Sequence, residues 1–347
     1  MHPKLEALNL AITADYIKSL QLPSGAILWN KNDKLDPWDH VEAAMGLSVA
    51  GFTDEAAAAY QWLADNQLDD GSWHAAYFIE TCDGLSETHS SGKETNFIGY
   101  IATGIWHHYL VTGDETFLSR MYPMVNRALD FVLQFQSPQG EISWAVDAYN
   151  NPAPDALLTA CASLTRSLEC GIKAAEVLGI YKPQWPIAWQ ALAEAVKSKP
   201  ERFDRTWESK ARFAMDWYYP VLAGLYSVTE AQGRLQQRWS EFVEGQLGCR
   251  CVSDEPWVTM AETAELVIAL LAAEERPKAQ TLFATLAQWQ QNDGGFVTGF
   301  VFRDNVIWPE DKTSWTAGAV LLAADALFAL TPASTLFTTT HPVLTCS

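Results

Sequence analysis

The sequence has few of the features that mark several common classes of protein. Only six of its 347 residues are cysteine, and Cys249 and Cys251 are one residue apart, so we expect neither a disulfide scaffold nor a zinc site. Its 23 Lys and Arg residues face 42 Asp and Glu residues, and a net charge of −19 disfavours nucleic acid and anionic lipid as partners. No apolar run reaches the roughly 18 residues of a membrane span, and no signal peptide is evident. We therefore expect a cytoplasmic protein with no metal and no cofactor.

Apolar residues recur at helical spacing through nearly the whole chain. One set of segments is amphipathic and predicts outer helices at about 4–20, 53–67, 115–136, 184–198, 232–246 and 276–291. A second set is rich in Ala, Gly and Thr and predicts inner helices packed on all sides, at about 37–50, 94–112, 155–178, 213–230, 258–273 and 312–330. Because the two sets alternate, we predict an all-α fold, an (α/α)6 toroid of about six helical hairpins. It would form a single domain over 1–330, followed by a C-terminal tail over 331–347.

The turns that follow four of the outer helices resemble one another. Each contains Gln, then a polar stretch, then Gly, then an aromatic residue; they read QLPSGAILW (21–29), NQLDDGSW (66–73), FQSPQGEISW (135–144) and QQNDGGFVTGF (290–300). Glycine tolerates the positive φ that often follows a helix C-terminus. We interpret the Gln and Gly residues as structural.

Carboxylates and large aromatic residues are concentrated where the inner helices begin. Because the helices alternate in direction, these starts should meet at one end of the ring. The residues concerned are Asp39, Glu42, Glu94, Asp155, Asp216, Glu262 and Glu310, with Trp38, Trp217, Trp257, Trp308 and Trp315. Helix capping accounts for acids in a first turn, but Glu42 and Glu262 fall later, in apolar helices where an unpaired charge is costly. The pattern predicts a pocket lined by acids and tryptophans that binds a small-molecule substrate.

Such a pocket suits more than one function. Two carboxylates on either side of a sugar can hydrolyse a glycosidic bond, one as acid and the other as base or nucleophile. Alternatively, one acid can protonate an alkene while aromatic faces stabilise the resulting carbocation. A non-catalytic toroid that binds sugar or peptide is the third possibility.

The repeated turns resemble the QW repeats of squalene and hopene cyclases, and AYQWLADNQLDDGSW (59–73) is the nearest copy. Protein prenyltransferases share this kind of toroid. The resemblance implies an enzyme of isoprenoid metabolism. Cyclases carry their acid motif on an inner segment, whereas here Asp69 and Asp70 lie within the turn.

The order of features along the chain resembles the six-hairpin glycosidases, in particular the glucoamylase-like enzymes of glycoside hydrolase family 15. WDHVEAA (38–44) is similar to that family's first inner helix, which binds substrate. GEISWAVDAYNNPAPD (140–155) occupies the place of the general acid, with Glu141 and Asp147 as candidates. GGFVTGFVFRDNVIWPEDKTSW (294–315) occupies the place of the general base, with Glu310 and Asp311 as candidates.

These observations favour a carbohydrate-active enzyme, a glycoside hydrolase acting on a sugar or glycoconjugate. We predict Glu141 or Glu94 as the general acid and Glu310 or Glu262 as the base. The predicted substrate-binding residues are Trp38, Asp39, His40, Glu42, Asn96, Asp147, Asp216, Trp217, Trp257, Trp308 and Trp315.

Overall fold

The computed structural model describes residues 8–31, 34–78, 90 and 92–339. Helices dominate this part of the chain, as predicted. They are α1 (Leu10–Ser19), α2 (Pro37–Val49), α3 (Thr53–Asp65), α4 (Thr95–Thr112), α5 (Glu115–Leu133), α6 (Leu158–Val177), α7 (Gln184–Ser198), α8 (Ala214–Leu222), α9 (Val228–Gln237), α10 (Trp239–Phe242), α11 (Met260–Ala272), α12 (Arg276–Thr285) and α13 (Ser314–Phe328). Within these residues, no helix combines the length and hydropathy needed to cross a membrane.

Short antiparallel strands lie between the helices and correct the prediction of a purely α-helical chain. They are β1 (Lys34–Leu35), β2 (Tyr77–Phe78), β3 (Lys93–Glu94), β4 (Ala145–Val146), β5 (Val243–Glu244), β6 (Gly248–Arg250), β7 (Trp257–Thr259), β8 (Gly299–Val301) and β9 (Val306–Ile307). β1 pairs with β2 and β3 with β4, while β5 to β9 form one five-stranded sheet in chain order. β1, β3 and β7 lead directly into α2, α4 and α11, and a short loop joins β9 to α13. The strands thus build up the end of the molecule where these helices begin.

Six apolar helices form the centre of the molecule. Contacts run in series from α2 to α4, α6, α8, α11 and α13, and α13 in turn packs against α2. Small residues permit this closure: a methyl group added to Gly318 would lie 2.6 Å from the carbonyl oxygen of Glu42. The remaining long helices α1, α3, α5, α7, α9 and α12 each pack on the outside of this series.

The repeated turns tie neighbouring outer helices together. Gln21 donates from Nε2 to the carbonyl of Gly25 within its own turn and to the carbonyl of Glu55 on α3. Gln136 does the same with Gly140 and Ala188, reaching α7. Gly25 has a φ of +95°, and a Cβ there would lie 2.3 Å from a backbone oxygen of α3. Any side chain would therefore separate the turn from the next helix, which accounts for the glycine in the repeat.

Two predicted helices are shorter than expected. The segment 213–230 divides into α8 and α9 because Ser227 and Glu230 form a capping box that starts a new helix. The segment 232–246 ends as helix at Phe242, and residues from Val243 turn into the sheet.

The predicted C-terminal tail is partly packed. Ala333 and Leu336 are buried, and the carbonyl of Thr339 accepts a hydrogen bond from the buried Arg166 on α6. Residues 340–347 of the predicted tail lie outside the described residues.

Candidate active site

A cavity of about 360 Å³ opens at the end of the molecule where the inner helices begin. Its wall combines five carboxyl groups with aromatic rings and one lysine. The lining residues are Trp38, Asp39, Glu42, Glu94, Asn96, Phe97, Leu157, Thr159, Ala160, Lys210, Phe213, Met215, Asp216, Glu265 and Trp315. The sequence-predicted residues Trp38, Asp39, Glu42, Glu94, Asn96, Asp216 and Trp315 thus meet although they span nearly three hundred positions.

Glu42 and Trp38 lie one helical turn apart on α2. The indole Nε1 of Trp38 donates to Glu42 Oε2 at 3.2 Å, and its ring stacks on Tyr100 with centroids 5.0 Å apart. Burial raises the pKa of Glu42 to about 8, although the bond from Trp38 opposes the shift and the charge of Glu262 adds to it. Glu42 is therefore largely protonated at neutral pH and can donate as well as accept a hydrogen bond.

Glu265 on α11 is held by two tyrosines of α8. The hydroxyl of Tyr219 donates to Glu265 Oε1 at 2.5 Å, and the hydroxyl of Tyr218 donates to the other oxygen. Burial, and then the charge of Glu42, raise the pKa of Glu265 well above its ordinary value. Glu42 and Glu265 also line a deeper cavity of about 30 Å³, closed on its far side by residues that include Phe337. These two groups thus form the floor of the larger cavity.

Three further acids line the wall. Burial raises the pKa of Glu94, at the start of α4, to about 7. Asp39 has a pKa well above its ordinary value because of burial and the neighbouring charges of Asp36 and Glu42. Asp216 on α8 accepts a hydrogen bond from Thr159 Oγ1 at 2.6 Å, and burial raises its pKa. The wall thus offers carboxyl groups whose pKa values are raised above their ordinary range.

Several polar atoms at this end of the molecule are buried without partners among the described residues. They are Asn96 Oδ1, Trp315 Nε1 and Glu262 Oε2. Buried polar groups are normally hydrogen-bonded, and exceptions suggest a missing partner such as a ligand or water. Glu262 lies in the first turn of α11, and not later in the helix as predicted, because α11 begins only at Met260. It lies beside the half-buried Cys251, whose pKa is raised by burial and then by the charge of Glu262.

Glu141, a predicted general acid, lies apart from this cavity. Its carboxylate accepts hydrogen bonds from Arg202 Nε at 3.0 Å and Ser137 Oγ at 2.5 Å. Burial alone would raise its pKa, but these bonds outweigh burial and lower it. Asp155 is likewise buried against Thr206 and Arg205, and its pKa is also lowered, because hydrogen bonds outweigh its burial. The basic partners lie about fifty to sixty residues further along the chain, where the sequence did not reveal them.

Glu262, a predicted base, and four other predicted residues do not line the cavity either. Asp147 is exposed and closes a turn by accepting from the backbone and side chain of Asn151. His40 is buried, with Nδ1 accepting from the backbone N–H of Ile27 and Nε2 against the carbonyl of Ala59. Trp217 is buried and donates to the carbonyl of Arg234. Glu310 is exposed in the loop before α13.

Trp257 on β7 and Trp308, which directly follows β9, do not line the cavity, and their rings contact each other with centroids 5.3 Å apart. Sequence reasoning missed Glu265, Thr159, Lys210, Phe213 and Met215. Glu265 carried a usable signal, since it is a second acid in the same apolar helix as Glu262. Lys210 and Phe213 lie in the irregular segment between α7 and α8, and no such signal marked them in the sequence.

Comparison with known proteins places this site in context. The chain is 43% identical over 328 residues to the "MMP endo-(1,4)-3-O-methyl-alpha-D-mannosidase" of Mycolicibacterium hassiacum, a match that covers 94% of this chain and 88% of that enzyme. No protein-family model matches the chain.

Solved structures share the fold. A glycosidase variant in complex with glucose superposes with a TM-score of 0.73 at 15% identity, covering 95% of this chain and 99% of the other. A GH63 mannosylglycerate hydrolase from Thermus thermophilus, also in complex with glucose, gives a TM-score of 0.70 at 13% identity, covering 90% and 99%. At these identities the likeness concerns the fold.

Proposed function

The chain belongs to the same family of glycoside hydrolases as the M. hassiacum mannosidase, and we propose that it cleaves internal 1,4-linked α-mannosidic bonds in 3-O-methylated mannose oligosaccharides. The prediction of a glycoside hydrolase is thereby confirmed. The 43% identity over nearly the whole chain carries the substrate proposal. The cavity supports it, because its acids can perform the hydrolysis and its aromatic and aliphatic wall suits a sugar bearing apolar methyl groups.

Glycosidic hydrolysis needs a carboxyl group that protonates the leaving oxygen. We assign this role to Asp39 or Glu94, since both line the cavity and both have raised pKa values. A general acid works best when its pKa is close to the working pH, and the pKa of about 7 for Glu94 meets that condition.

The second group must accept a proton from water or attack the sugar directly. We assign this role to Asp216 on α8, which lines the cavity, or to Glu262 on α11, which lies outside its lining residues. Both helices lie across the series of inner helices from α2 and α4. The buried Oε2 of Glu262 has no donor among the described residues and is free to hold a water molecule. Asp216 already accepts from Thr159, which fixes its orientation toward the cavity.

The remaining lining groups suit substrate binding. Trp38 and Trp315 offer ring faces for stacking on a pyranose, and Asn96 Oδ1 and Trp315 Nε1 offer a hydrogen-bond acceptor and a donor to sugar hydroxyls. Glu42 can exchange hydrogen bonds with a hydroxyl at the floor of the cavity.

We also propose the finer features predicted from the sequence. The alternation of inner and outer helices supports six hairpins in one domain over 1–330. The net charge of −19 disfavours nucleic acid as a partner, and a cytoplasmic location stays a prediction. A resemblance to glycoside hydrolase family 15 in particular stays a prediction.

The first experiment measures reducing ends released from 1,4-linked 3-O-methylmannose oligosaccharides. We expect the wild-type enzyme to release internal fragments and to leave 1,4-linked glucose oligosaccharides intact. Release of single sugars only, or activity on glucose oligomers alone, would contradict the proposal.

Variants then assign the two roles. Asp39→Asn and Glu94→Gln are compared on natural oligosaccharides and on an aryl mannoside whose leaving group needs no protonation. The acid variant should lose activity on the first substrate and retain it on the second. Of Glu262→Gln and Asp216→Asn, the variant that removes the base should lose activity on both substrates, because the attacking water is no longer activated. Glu141→Gln is the matched control and should remain active.

A further inference from the structure

The hairpin formed by β8 and β9, together with Trp308, exposes three consecutive apolar side chains. Val306 is 47% exposed, Ile307 42% and Trp308 57%. Exposed apolar residues are common singly, but three in succession at the end of one hairpin suggest a binding surface. We refer to Val306, Ile307 and Trp308 as the apolar tip.

The apolar tip is held rigidly. Trp257 Nε1 donates to the carbonyl of Trp308 at 2.8 Å, and the two rings meet edge to face. The N–H of Trp308 donates to the carbonyl of Gly299 at 3.0 Å. A Cβ on Gly299 would lie 2.2 Å from Trp257 Nε1, so the missing side chain makes room for the indole beneath the tip. A surface that is already ordered loses little entropy when it binds a ligand.

Hydrogen bonds connect the tip to the cavity wall. Met260, the first residue of α11, donates to the carbonyl of Thr298, and the N–H of Thr298 donates to the carbonyl of Asp311. Met260 begins α11, which contains Glu265, and Asp311 shortly precedes α13, which contains Trp315. Both Glu265 and Trp315 line the cavity. The tip therefore belongs to the end of the molecule where α11 and α13 begin, which is also the end that carries the cavity.

We propose that the apolar tip binds the part of an O-methylated mannose oligosaccharide that extends beyond the cavity, an inference that rests on the proposed function. An enzyme that cuts internal bonds must hold sugar units on both sides of the cut, and a cavity of about 360 Å³ has room for only a few of them. The face of Trp308 stacks on a pyranose ring. Val306 and Ile307 cannot bond hydroxyl groups, but they remove the apolar methyl ethers of such a chain from water.

The test compares a long methylated oligosaccharide with the shortest one that the wild-type enzyme cleaves. Trp308→Ala should lower the long-to-short ratio of kcat/KM about tenfold, the equivalent of roughly 1.4 kcal/mol of binding. Ile307→Ser should lower the ratio for methylated chains more than for unmethylated ones. Tyr181→Ala is the matched control, because Tyr181 is 85% exposed beyond the far end of α6, and it should leave the ratio unchanged.

The outcomes separate this inference from the proposed function. If the wild-type enzyme cleaves neither substrate, the proposed function fails. If it cleaves both and Trp308→Ala keeps the wild-type ratio, the tip does not bind the chain and only this inference is overturned. Light scattering identifies the competing occupant: loss of a dimer in Trp308→Ala, with an unchanged ratio, would assign the tip to a second copy of the protein instead.

Discussion

Two groups of buried acids in this protein have opposite electrostatics. Glu42 and Glu265, on the cavity floor, are buried beside each other with neutral donors, and their pKa values are raised. Glu141 and Asp155 are buried just as deeply, but Arg202 and Arg205 accompany them and their pKa values are lowered. Burial alone therefore does not identify a reactive carboxyl group. The partner decides whether the acid keeps its proton and its freedom to act on a ligand.

Replacing one acid in each group should give the largest contrast, in activity. We expect Glu42→Gln to lower kcat/KM by roughly 100-fold, the scale seen when an oriented hydrogen-bonding group is removed from an active site. Glu141→Gln should leave the activity of the folded enzyme near the wild-type value. The measurement is initial-rate kinetics at neutral pH, with folded fractions matched by circular dichroism. Equal losses in both variants would remove the distinction between the groups.

Removing the basic partner should affect stability instead. Arg202→Leu leaves the Glu141 carboxylate buried without its main partner, and we expect the free energy of unfolding to fall by about 2 kcal/mol. This is less than the cost for a wholly buried pair, because the Arg202 side chain is 25% exposed. Urea unfolding measures the change. The double variant with Glu141→Gln should recover part of the loss, and failure to recover any would show that Arg202 acts through other contacts.

The two groups should also respond oppositely to pH. The pKa of Glu42 rises from 4.5 to about 8 on folding, so its stabilising contribution is complete below pH 4.5 and is lost as the pH rises through about 8. The pKa of Glu141 is lowered on folding, so this carboxylate stabilises the fold at pH values above its pKa in the unfolded chain. That contribution is lost as the pH falls through its pKa in the folded protein.

Thermal unfolding between pH 4.5 and 8 tests this difference. Glu42→Gln should reduce the loss of stability over that range, because the group whose pKa is raised on folding has been removed. Glu141→Gln should leave the loss of stability at rising pH unchanged and should weaken the loss of stability at low pH. If the Glu42→Gln variant loses as much stability as the wild type when the pH rises, the loss must be assigned to Asp39 or Glu265 instead.

Much of the fold was predictable because its signals are local. The helix predicted at 37–50 is α2 (Pro37–Val49), and the one predicted at 184–198 is α7 with the same bounds. The sheet was not predicted, because its two- and three-residue strands are too short to show an alternating pattern and depend on pairing with distant segments. Glu42 and Glu94 were predictable as members of the cavity, since one lies within an apolar helix and the other directly before one, and these helices begin at a common end.

The sequence by itself determined the alternation of helices, the turns that join them, and the end of the molecule where acids collect. These follow from periodicity and from the steric requirements of glycine, which act over a few residues. Only the tertiary structure decided which acids share the cavity and which meet an arginine. Glu141 and Glu42 were both candidate site residues from the sequence. Their pKa values shift in opposite directions because charge and burial depend on neighbours that the chain brings together from far apart.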